Sequence, residues 1–389
     1  MLVLKPGDTR NKNVTTLLRL LLKRDSVSRV DLSRTTGLTK TTVSSIINEF
    51  IDLGIVEESS TISTGNVGKS PIPLHIRTDA VYTVGVHLGR EKVKTVLMDA
   101  RMNIISRKRG LSYERLGLKG VLESLFLSID DSMKDAEKHN IKVGAIGIGI
   151  PGPLDPRTGV VRHPPKFKGW KDVPLGKIIH ERYKLPVWIE NDANVGVLAE
   201  KWHGGGKDLK NFVYVLANEG IGAGIIINDE LYQGAYEYAG EIGHILFYDR
   251  GKFRYLEDIG GVDILIKRAR SQGLNIKNVK DISDLLQTND KVACSIVKEI
   301  ASWIGAAVIN VIHIIGPEVV FIGGKMAVLE DALIQPIREI VSMYLFGNQK
   351  VDVRLSKISE NAMAIGAAIY ATTKWLEEKS TERVSAIRK

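Results

Sequence analysis

The sequence has a single cysteine, Cys294, among 389 residues. One cysteine forms no internal disulfide and supports no multi-cysteine zinc site, and such sparse use is typical of a reducing cytoplasm. No apolar run reads as long enough to span a membrane, and the opening stretch M-L-V-L-K-P-G-D-T-R lacks the apolar segment of a signal peptide. We therefore expect a cytoplasmic protein that is not anchored in a membrane.

The bulk composition excludes global disorder. Apolar residues make up 44% of the chain, which is enough to build a sizeable core, and 389 residues usually form more than one domain. The net charge is +9. That charge is compatible with a polyanionic partner such as nucleic acid but does not require one.

Residues 13–58 have the pattern of three consecutive helices. Ser28 with Asp31 fits a capping box at the start of the second helix, and Gly37 with Leu38 fits the turn that follows it. Thr39 caps the third helix, K-T-T-V-S-S-I-I-N-E-F-I-D-L, which ends at Gly54. One face of this third helix carries the apolar side chains Val43, Ile46, Ile47 and Phe50.

Two short extended segments, Ile55–Ser59 and Ile72–Arg77, follow the helices and are joined by the polar tip S-T-I-S-T-G-N-V-G-K-S-P. A helix-turn-helix followed by a β-hairpin wing is a DNA-reading module, and short polar side chains reach base edges and phosphates. The alternative is a small helical domain with a solvated face, because residues 1–75 hold only 10 Lys and Arg against 7 Asp and Glu. The candidate DNA contacts are Lys40, Thr41, Thr42, Ser44, Ser45 and Asn48 on the third helix and Lys69 in the wing.

From residue 79 onward the chain reads as α/β. Strands are expected at Val81–Val86, Val93–Asp99 and Ile104–Lys108, then a helix over 116–139 and the strand V-G-A-I-G-I-G-I. A second cycle is expected near Val187, and the stretch from Phe212 repeats the order strand, glycine turn, strand. This order predicts two lobes with a ligand cleft between them, as in the actin-like sugar-kinase and chaperone-ATPase fold. The expected division is 1–78 for DNA binding, 79–190 with 362–389 for the smaller lobe, and 191–361 for the larger, dimerising lobe.

Six motifs give the chain a specific resemblance. They are P-G-P-L-D-P-R-T-G-V-V, P-P-K-F-K-G-W, V-W-I-E-N-D-A-N, Y-A-G-E-I-G-H, G-P-E-V-V-F-I-G-G and A-I-G-A-A. In this order they resemble the ROK family of repressors, open reading frames and sugar kinases, over nearly the whole chain. With the N-terminal module, the resemblance is to the repressor branch.

The resemblance implies a polyol site whose donors and acceptors are Asn191, Asp192, Glu241, His244 and Glu257. In the kinases the acid at the position of Asp192 is the general base that removes a proton from the sugar hydroxyl. The alternative for N-D-A-N is a simple helix cap after a strand. Lys166 replaces an asparagine common in the kinases, and it either meets an acidic or phosphorylated ligand or points into solvent.

Both phosphate-binding turns of the kinases are altered here. The pattern Asp-x-Gly-Gly-Thr-Lys is replaced by His87-Leu88-Gly89-Arg90-Glu91-Lys92, and the turn Gly-Thr-Gly-Ile-Gly-Gly-Gly by N-E-G-I-G-A-G at 218–224. Glutamate thus stands at both threonine positions, Glu91 and Glu219. One like-charge contact at ~4 Å costs on the order of 4 kcal/mol at an effective dielectric of about 20, so ATP is expected to be repelled. We expect no catalytic residue, with Asp192 as a vestigial base, and no cofactor.

The family's zinc cluster is also missing from the sequence. Many members follow the Gly-His motif with Cys-x-Cys-Gly-x-x-Gly-Cys-x-Glu, whereas this chain reads F-Y-D-R-G-K-F-R-Y-L-E. His244 therefore has no thiolate partners, and no structural metal is expected.

The favoured interpretation is a transcriptional regulator, most simply a repressor of carbohydrate metabolism, that binds operator DNA and responds to a sugar or polyol. It is expected to act as a homodimer or higher homo-oligomer, because one winged helix covers half an operator. The rival from another class is an active ATP-dependent sugar kinase with a DNA-binding arm. A third interpretation is a constitutive DNA binder whose α/β part only dimerises.

Overall fold

The computed structural model describes residues 6–59, 72–113, 117–165, 167–358 and 361–386. The chain forms two compact units: residues 1–148, 174–189 and 367–389 make up the first, and residues 149–173 and 190–366 the second. In chain order the helices are α1 (Pro6–Lys23), α2 (Arg29–Thr36), α3 (Lys40–Asp52), α4 (Leu118–Lys138), α5 (Leu175–Tyr183), α6 (Asp192–His203), α7 (Glu257–Gly260), α8 (Val262–Ser271), α9 (Val279–Gln287), α10 (Lys291–Ile315), α11 (Asp331–Tyr344) and α12 (Ala362–Ala386).

The strands are mostly short. In chain order they are β1 (Val27–Ser28), β2 (Val56–Glu58), β3 (Pro73–Ile76), β4 (Thr83–Leu88), β5 (Lys92–Met98), β6 (Ile104–Ser112), β7 (Ala145–Ile150), β8 (Leu154–Asp155), β9 (Val160–Val161), β10 (Val187–Asn191), β11 (Phe212–Ala217), β12 (Ile221–Ile227), β13 (Glu230–Leu231), β14 (Leu246–Asp249), β15 (Lys252–Tyr255), β16 (Val319–Gly323) and β17 (Asp352–Leu355).

The N-terminal part is a winged helix-turn-helix, as predicted. The Ser28–Asp31 capping box is present at α2, Gly37 ends that helix in the left-handed conformation at φ 72°, and Thr39 accepts the backbone N–H of Thr42 at the start of α3. The wing strands β2 and β3 pair antiparallel, and β1 adds to the other edge of β3. The sequence pattern missed β1 because two residues are too short for a recognisable alternation.

The first unit also holds a five-stranded sheet in the order β10-β7-β4-β5-β6. The assignment of the strand at Val187 to a second cycle is wrong, because β10 is the edge strand of this first sheet. Backbone pairing between distant segments decided that placement, and the strand's own sequence does not reveal it. The glycine turn at 89–91 joins β4 to β5 as an antiparallel hairpin.

A continuous core joins the winged helix to the first sheet. Apolar residues of α1, α2, α3, β2 and β3 share one buried cluster with Val81, Ala100, Ala145 and Leu376. Two charged contacts cross the same boundary, Arg101 to Glu57 at 2.9 Å and Arg19 to Glu377 at 3.4 Å. The winged helix-turn-helix is therefore packed against the first sheet within this unit.

The second unit is built on the sheet β13-β12-β11-β16-β17. Its core is formed by this sheet with α8, α10 and α11, and the hairpin β14–β15 carries Phe247, whose ring contacts Trp303 at 5.6 Å. Contrary to the expectation from the sequence, α10 is long and apolar enough to cross a membrane, with a mean hydropathy of 1.7 over an 18-residue window. Of that window, 56% is buried inside the protein, because isoleucine and valine side chains of α10 form part of the core of this unit.

Candidate functional site

Helix α3 presents the polar face that the sequence predicts. Val43, Ile46, Ile47 and Phe50 are buried, which fixes the rotation of the helix about its axis. On the opposite side Lys40, Thr41, Ser45 and Asn48 are exposed, and Thr42 and Ser44 are partly exposed. Six of the seven predicted DNA contacts thus share one accessible face. Lys69 lies outside the described residues.

Arg29, the first residue of α2, extends this face and was missed by the sequence reasoning. Its guanidinium donates to Asn48 Oδ1 at 2.9 Å, to Glu58 Oε1 at 2.8 Å and to the Ser44 carbonyl at 3.4 Å. The arginine therefore ties α2, α3 and the first wing strand together. The helical periodicity of α3 could not predict this contact, because Arg29 lies on α2.

The ligand candidates Asn191 and Asp192 lie where β10 passes into α6. Asn191 is the N-cap of α6, and its Oδ1 accepts the backbone N–H of Ala193 at 2.8 Å. The capping interpretation of N-D-A-N is thus realised, while the amide Nδ2 faces Gly152. Asp192 follows in the first turn of the helix and is half-buried.

Glu190 is the buried anchor of this segment, with 1% of its surface exposed. It accepts hydrogen bonds from the Asn191 backbone N–H at 2.7 Å, from Asn194 Nδ2 at 2.9 Å and from Gln233 Nε2 at 2.6 Å. Glu190 is the first residue of the motif E-N-D-A-N, but the sequence pattern by itself does not indicate its role. Its bond to Gln233 connects the start of α6 to the loop that carries Glu241.

Glu241, His244 and Glu257 form a carboxylate–imidazole–carboxylate row. His244 Nδ1 lies 3.4 Å from Glu241 Oε2, and its Nε2 lies 3.8 Å from Glu257 Oε1. The ring of Tyr255 contacts the imidazole edge-on at 5.1 Å. Burial raises the pKa of Glu241; the neighbouring His244 lowers that pKa and the carboxylate of Glu257 raises it. The row offers acceptors and one ring that donates or accepts, which is the chemistry that binds adjacent hydroxyl groups.

A small, partly open cavity lies within the second unit beside this row. It is lined by Gly152, Pro153, Leu154, Pro156, Glu190, Asn191, Glu237, Tyr238 and Glu241. Two predicted ligand residues, Asn191 and Glu241, therefore face one cavity. His244 and Glu257 adjoin it through Glu241, Asp192 follows Asn191 along the chain, and Lys166 lies outside the described residues.

Two glycines permit the close packing of this cavity. A Cβ atom at Gly152 would lie 3.1 Å from Asn191 Nδ2, so a side chain there would press on the amide. Gly240 has φ 91°, and a Cβ atom there would lie 1.8 Å from the Ala223 carbonyl oxygen. Only glycine satisfies both constraints at position 240, which explains the glycine in Y-A-G-E-I-G-H.

The turn that carries Glu219 has an internal cation. Lys325 Nζ forms an ion pair with Glu219 Oε1 at 2.5 Å, and the Lys325 backbone N–H donates to Asn218 Oδ1 at 2.7 Å. In the first unit His87 is buried within β4, and Glu91 lies in the β4–β5 turn, where its carbonyl accepts the Tyr113 N–H at 2.9 Å. Among the described residues no group of three or more His, Cys, Asp or Glu side chains is arranged to hold a metal ion.

Comparison with known proteins identifies the chain's relatives. The ROK family model matches residues 83–374, and a winged helix-turn-helix DNA-binding model matches residues 10–57. A xylose repressor from Caldicellulosiruptor bescii is 31% identical over 381 residues, which cover 91% of this chain and 94% of that protein.

Two solved structures support the same fold. A ROK family transcriptional regulator, a homologue of the E. coli Mlc protein, superposes with a TM-score of 0.82 at 22% identity over 96% of this chain and 98% of that chain. A ROK family glucokinase from Streptomyces griseus, solved with glucose and AMPPNP, superposes with a TM-score of 0.66 at 25% identity. The match covers 75% of this chain and 99% of that chain. The predicted fold class, a winged helix-turn-helix followed by an actin-like sugar-kinase fold, is confirmed. The chain belongs to the ROK family and carries an N-terminal winged helix-turn-helix.

Proposed function

We propose that this protein is a cytoplasmic transcriptional repressor whose binding to operator DNA responds to a sugar or related polyol, and that it has lost kinase activity. The observation that carries the proposal is the presence, in one chain, of an exposed polar recognition helix and a cavity lined by carboxylate and amide groups. The relative named as a xylose repressor supports this combination over a kinase with an added arm.

The DNA-binding half of the proposal is supported by the accessible side chains of α3. Lys40 lies at the helix N-terminus, and Thr41, Ser45 and Asn48 follow on the same exposed face. A recognition helix contacts base edges from its N-terminal residues. We assign base and phosphate contacts to this face and a further phosphate contact to Lys69.

The ligand half is supported by the donors and acceptors at the cavity. Glu241 and Asn191 face the cavity, and Glu190 fixes the backbone of Asn191 by accepting its N–H. A carboxylate accepts protons from neighbouring hydroxyls in short, charge-assisted hydrogen bonds, and an amide both donates and accepts. We assign the polyol to Asn191, Asp192, Glu241, His244 and Glu257. Lys166 remains a predicted contact.

Loss of kinase activity is supported by the ion pair at the second turn. A polyphosphate at this turn needs amides, hydroxyls, cations and Mg²⁺ around it. Glu219 adds a carboxylate there, and the nearby Lys325 already serves as its counter-ion. The prediction that Glu91 adds a second negative charge to the same phosphate space stays a prediction.

We assign the two proposed activities, DNA binding and sugar sensing, to different parts of the chain. We assign DNA binding to residues 1–78, and sugar sensing to the α/β part, with 79–190 and 362–389 as the expected smaller lobe. Residues 149–173 of that range group instead with the second compact unit. Residues 191–361 form the larger lobe, to which we also assign dimerisation. A dimer places two winged helices on a palindromic site, and a coupling of about 1–3 kcal/mol between ligand and DNA suffices for regulation.

The test begins with DNA selection. Purified full-length protein selects sequences from a random duplex pool, and the enriched site is then used in a binding assay with D-xylose, D-glucose, inositol and sugar acids. We expect a palindromic site and a several-fold change in DNA affinity with at least one of these compounds. Asp192→Asn should blunt that change and leave the affinity without sugar intact. Enrichment of no sequence, or ATP-dependent phosphorylation of any panel sugar at an ordinary enzymatic rate, would contradict the proposal.

A further inference from the structure

Glu237 is an unusual residue at the wall of the cavity. Its backbone has φ 65°, a left-handed conformation that is uncommon for a residue with a side chain of this size. Its side chain is only 15% exposed and lines the cavity next to Tyr238. A carboxylate held in a strained backbone position at a binding cavity indicates a function for the side chain.

Arg157 fixes the position of this carboxylate. The Arg157 Nε donates to Glu237 Oε1, although the arginine side chain is 69% exposed. Arg157 lies at the tip of the β8–β9 hairpin, where Asp155 Oδ1 accepts its backbone N–H at 3.1 Å. The ion pair therefore joins this hairpin, whose Leu154 and Pro156 also line the cavity, to the loop that leads to Glu241.

The described lining of the cavity is rich in carboxyl groups. Three carboxylates line it, Glu190, Glu237 and Glu241. Glu190 accepts hydrogen bonds from three amide N–H groups, Glu237 forms an ion pair with Arg157, and Glu241 lies 3.4 Å from the imidazole of His244. Repulsion between like charges is stronger in a partly buried cavity than in water. A ligand carboxylate would meet this field, whereas hydroxyl and ammonium groups donate to it.

We propose that Glu237, positioned by Arg157, is a specificity-determining residue that makes the cavity select uncharged and amino sugars over sugar acids. This inference rests on the proposed function, because it names the class of ligand at the same site. Neither the helix cap at Asn191 nor the row from Glu241 to Glu257 requires a carboxylate at position 237.

The experiment measures dissociation constants by calorimetry on the full chain, using matched sugars that share one ring configuration. The probes are D-glucose with D-glucosamine and D-glucuronate, D-galactose with D-galactosamine and D-galacturonate, and D-xylose. We expect at least one neutral or amino sugar to bind and its acid to bind about tenfold or more weakly. In Glu237→Gln the ratio between the acid and the neutral sugar should fall by about tenfold, which equals ~1.4 kcal/mol.

Three further variants separate charge from folding. Glu237→Gly adopts the positive φ without strain, so it should fold at least as well as wild type and lose the same discrimination. Arg157→Gln retains the carboxylate, so discrimination against the acid should be at least as large as in wild type. Glu299→Gln removes another carboxylate that is paired with an arginine, because Glu299 lies 2.6 Å from Arg268. This ion pair is not part of the cavity lining, so the variant should leave the ratio between acid and neutral sugar unchanged.

Each adverse result has a distinct meaning. An unchanged ratio in both Glu237 variants overturns the inference and leaves the proposed function intact. Tighter binding of a sugar acid than of its neutral parent also overturns the inference. If Lys166→Gln then abolished binding of the acid, Lys166 would be the residue that binds the ligand carboxylate. If none of the probes binds wild type, the proposed function fails and the inference fails with it.

Discussion

At the scale of single residues, Glu241 shows how ligand binding and stability oppose each other. Burial raises the pKa of this carboxyl in the folded protein, and the charge of Glu257 adds to that rise, while His244 acts against it. The unfolded chain has an ordinary glutamate pKa of about 4.3. Between these two values the folded state binds more protons than the unfolded state, so the contribution of Glu241 to stability falls as the pH rises through that window.

Replacing Glu241 with glutamine removes this pH-dependent cost. We expect Glu241→Gln to unfold at a higher temperature than wild type at pH 8 and to lose most of that advantage at pH 4. Sugar binding should weaken about tenfold or more, because a hydrogen bond to a charged acceptor is worth ~1.5–3 kcal/mol. Thermal unfolding at both pH values and calorimetry with the best panel sugar measure the two effects.

The matched control is Glu339→Gln, on the exposed side of α11. It removes the same charge from a solvated position, so neither the unfolding temperature nor sugar binding should change appreciably. A loss of stability in Glu241→Gln at pH 8 would show that the carboxylate is instead a structural partner.

At the scale of elements, α3 forms because several local signals coincide. Thr39 caps its first turn, and four apolar side chains at helical spacing bury one face. The polar face is then exposed as a consequence of that burial. The position of Lys40 at the exposed N-terminus makes it the clearest electrostatic probe of DNA binding.

Lys40→Ala should weaken binding to the selected operator without changing sugar binding. Loss of one phosphate contact is expected to reduce the slope of log affinity against log salt by roughly 1. Lys298→Ala removes the same charge from an exposed position on α10 and should leave the slope unchanged. Equal slopes for wild type and Lys40→Ala would move the phosphate contacts away from α3.

The loop that leads into Glu241 requires glycine at position 240. Gly240→Ala places a Cβ against the Ala223 carbonyl and forces a positive φ, so it should lower the free energy of unfolding by about 2–4 kcal/mol. Gly251→Ala shares the positive φ, at 79°, but meets no atom within 4 Å, and should cost only ~1 kcal/mol. Denaturant unfolding of both variants measures the difference, and equal losses would mean that the carbonyl moves aside.

At the scale of the whole molecule, the winged helix is not an independent attachment. Its core is continuous with that of the first sheet through Leu376 on α12 and through Val81, Ala100 and Ala145. A module that shares a core is expected to unfold together with its neighbour, because the same buried contacts stabilise both.

Leu376→Ala should therefore destabilise α1 to α3 together with the first sheet by about 2–5 kcal/mol. Amide hydrogen exchange should show the loss of protection in both parts at once. Leu333→Ala removes an equally buried leucine from the core of the second unit and should leave protection of the winged helix unchanged. Protection of α1 to α3 that survives Leu376→Ala would show that the module is stable without α12.

Local signals in the sequence accounted for much of the fold. The capping residues, the glycine that ends α2 and the apolar period of α3 all act within a few positions, so they are legible without the tertiary structure. The strands from Thr83 to Ser112 and the helix α4 were predicted to within a few residues for the same reason. The motifs N-D-A-N and A-G-E-I-G-H likewise indicated two residues that face one cavity, Asn191 and Glu241.

Tertiary structure alone decided the rest. The edge position of β10 and the burial of Glu190 depend on pairing with segments that are distant in sequence. The same holds for the contact of Arg29 with Asn48 and for the ion pair of Arg157 with Glu237, whose residues are 80 positions apart. The membrane-like hydropathy of α10 also needed the fold, because only packing shows that its apolar face is covered by protein. Short-range steric and capping preferences fix the elements, whereas the pairing of side chains across the chain depends on which elements the topology brings together.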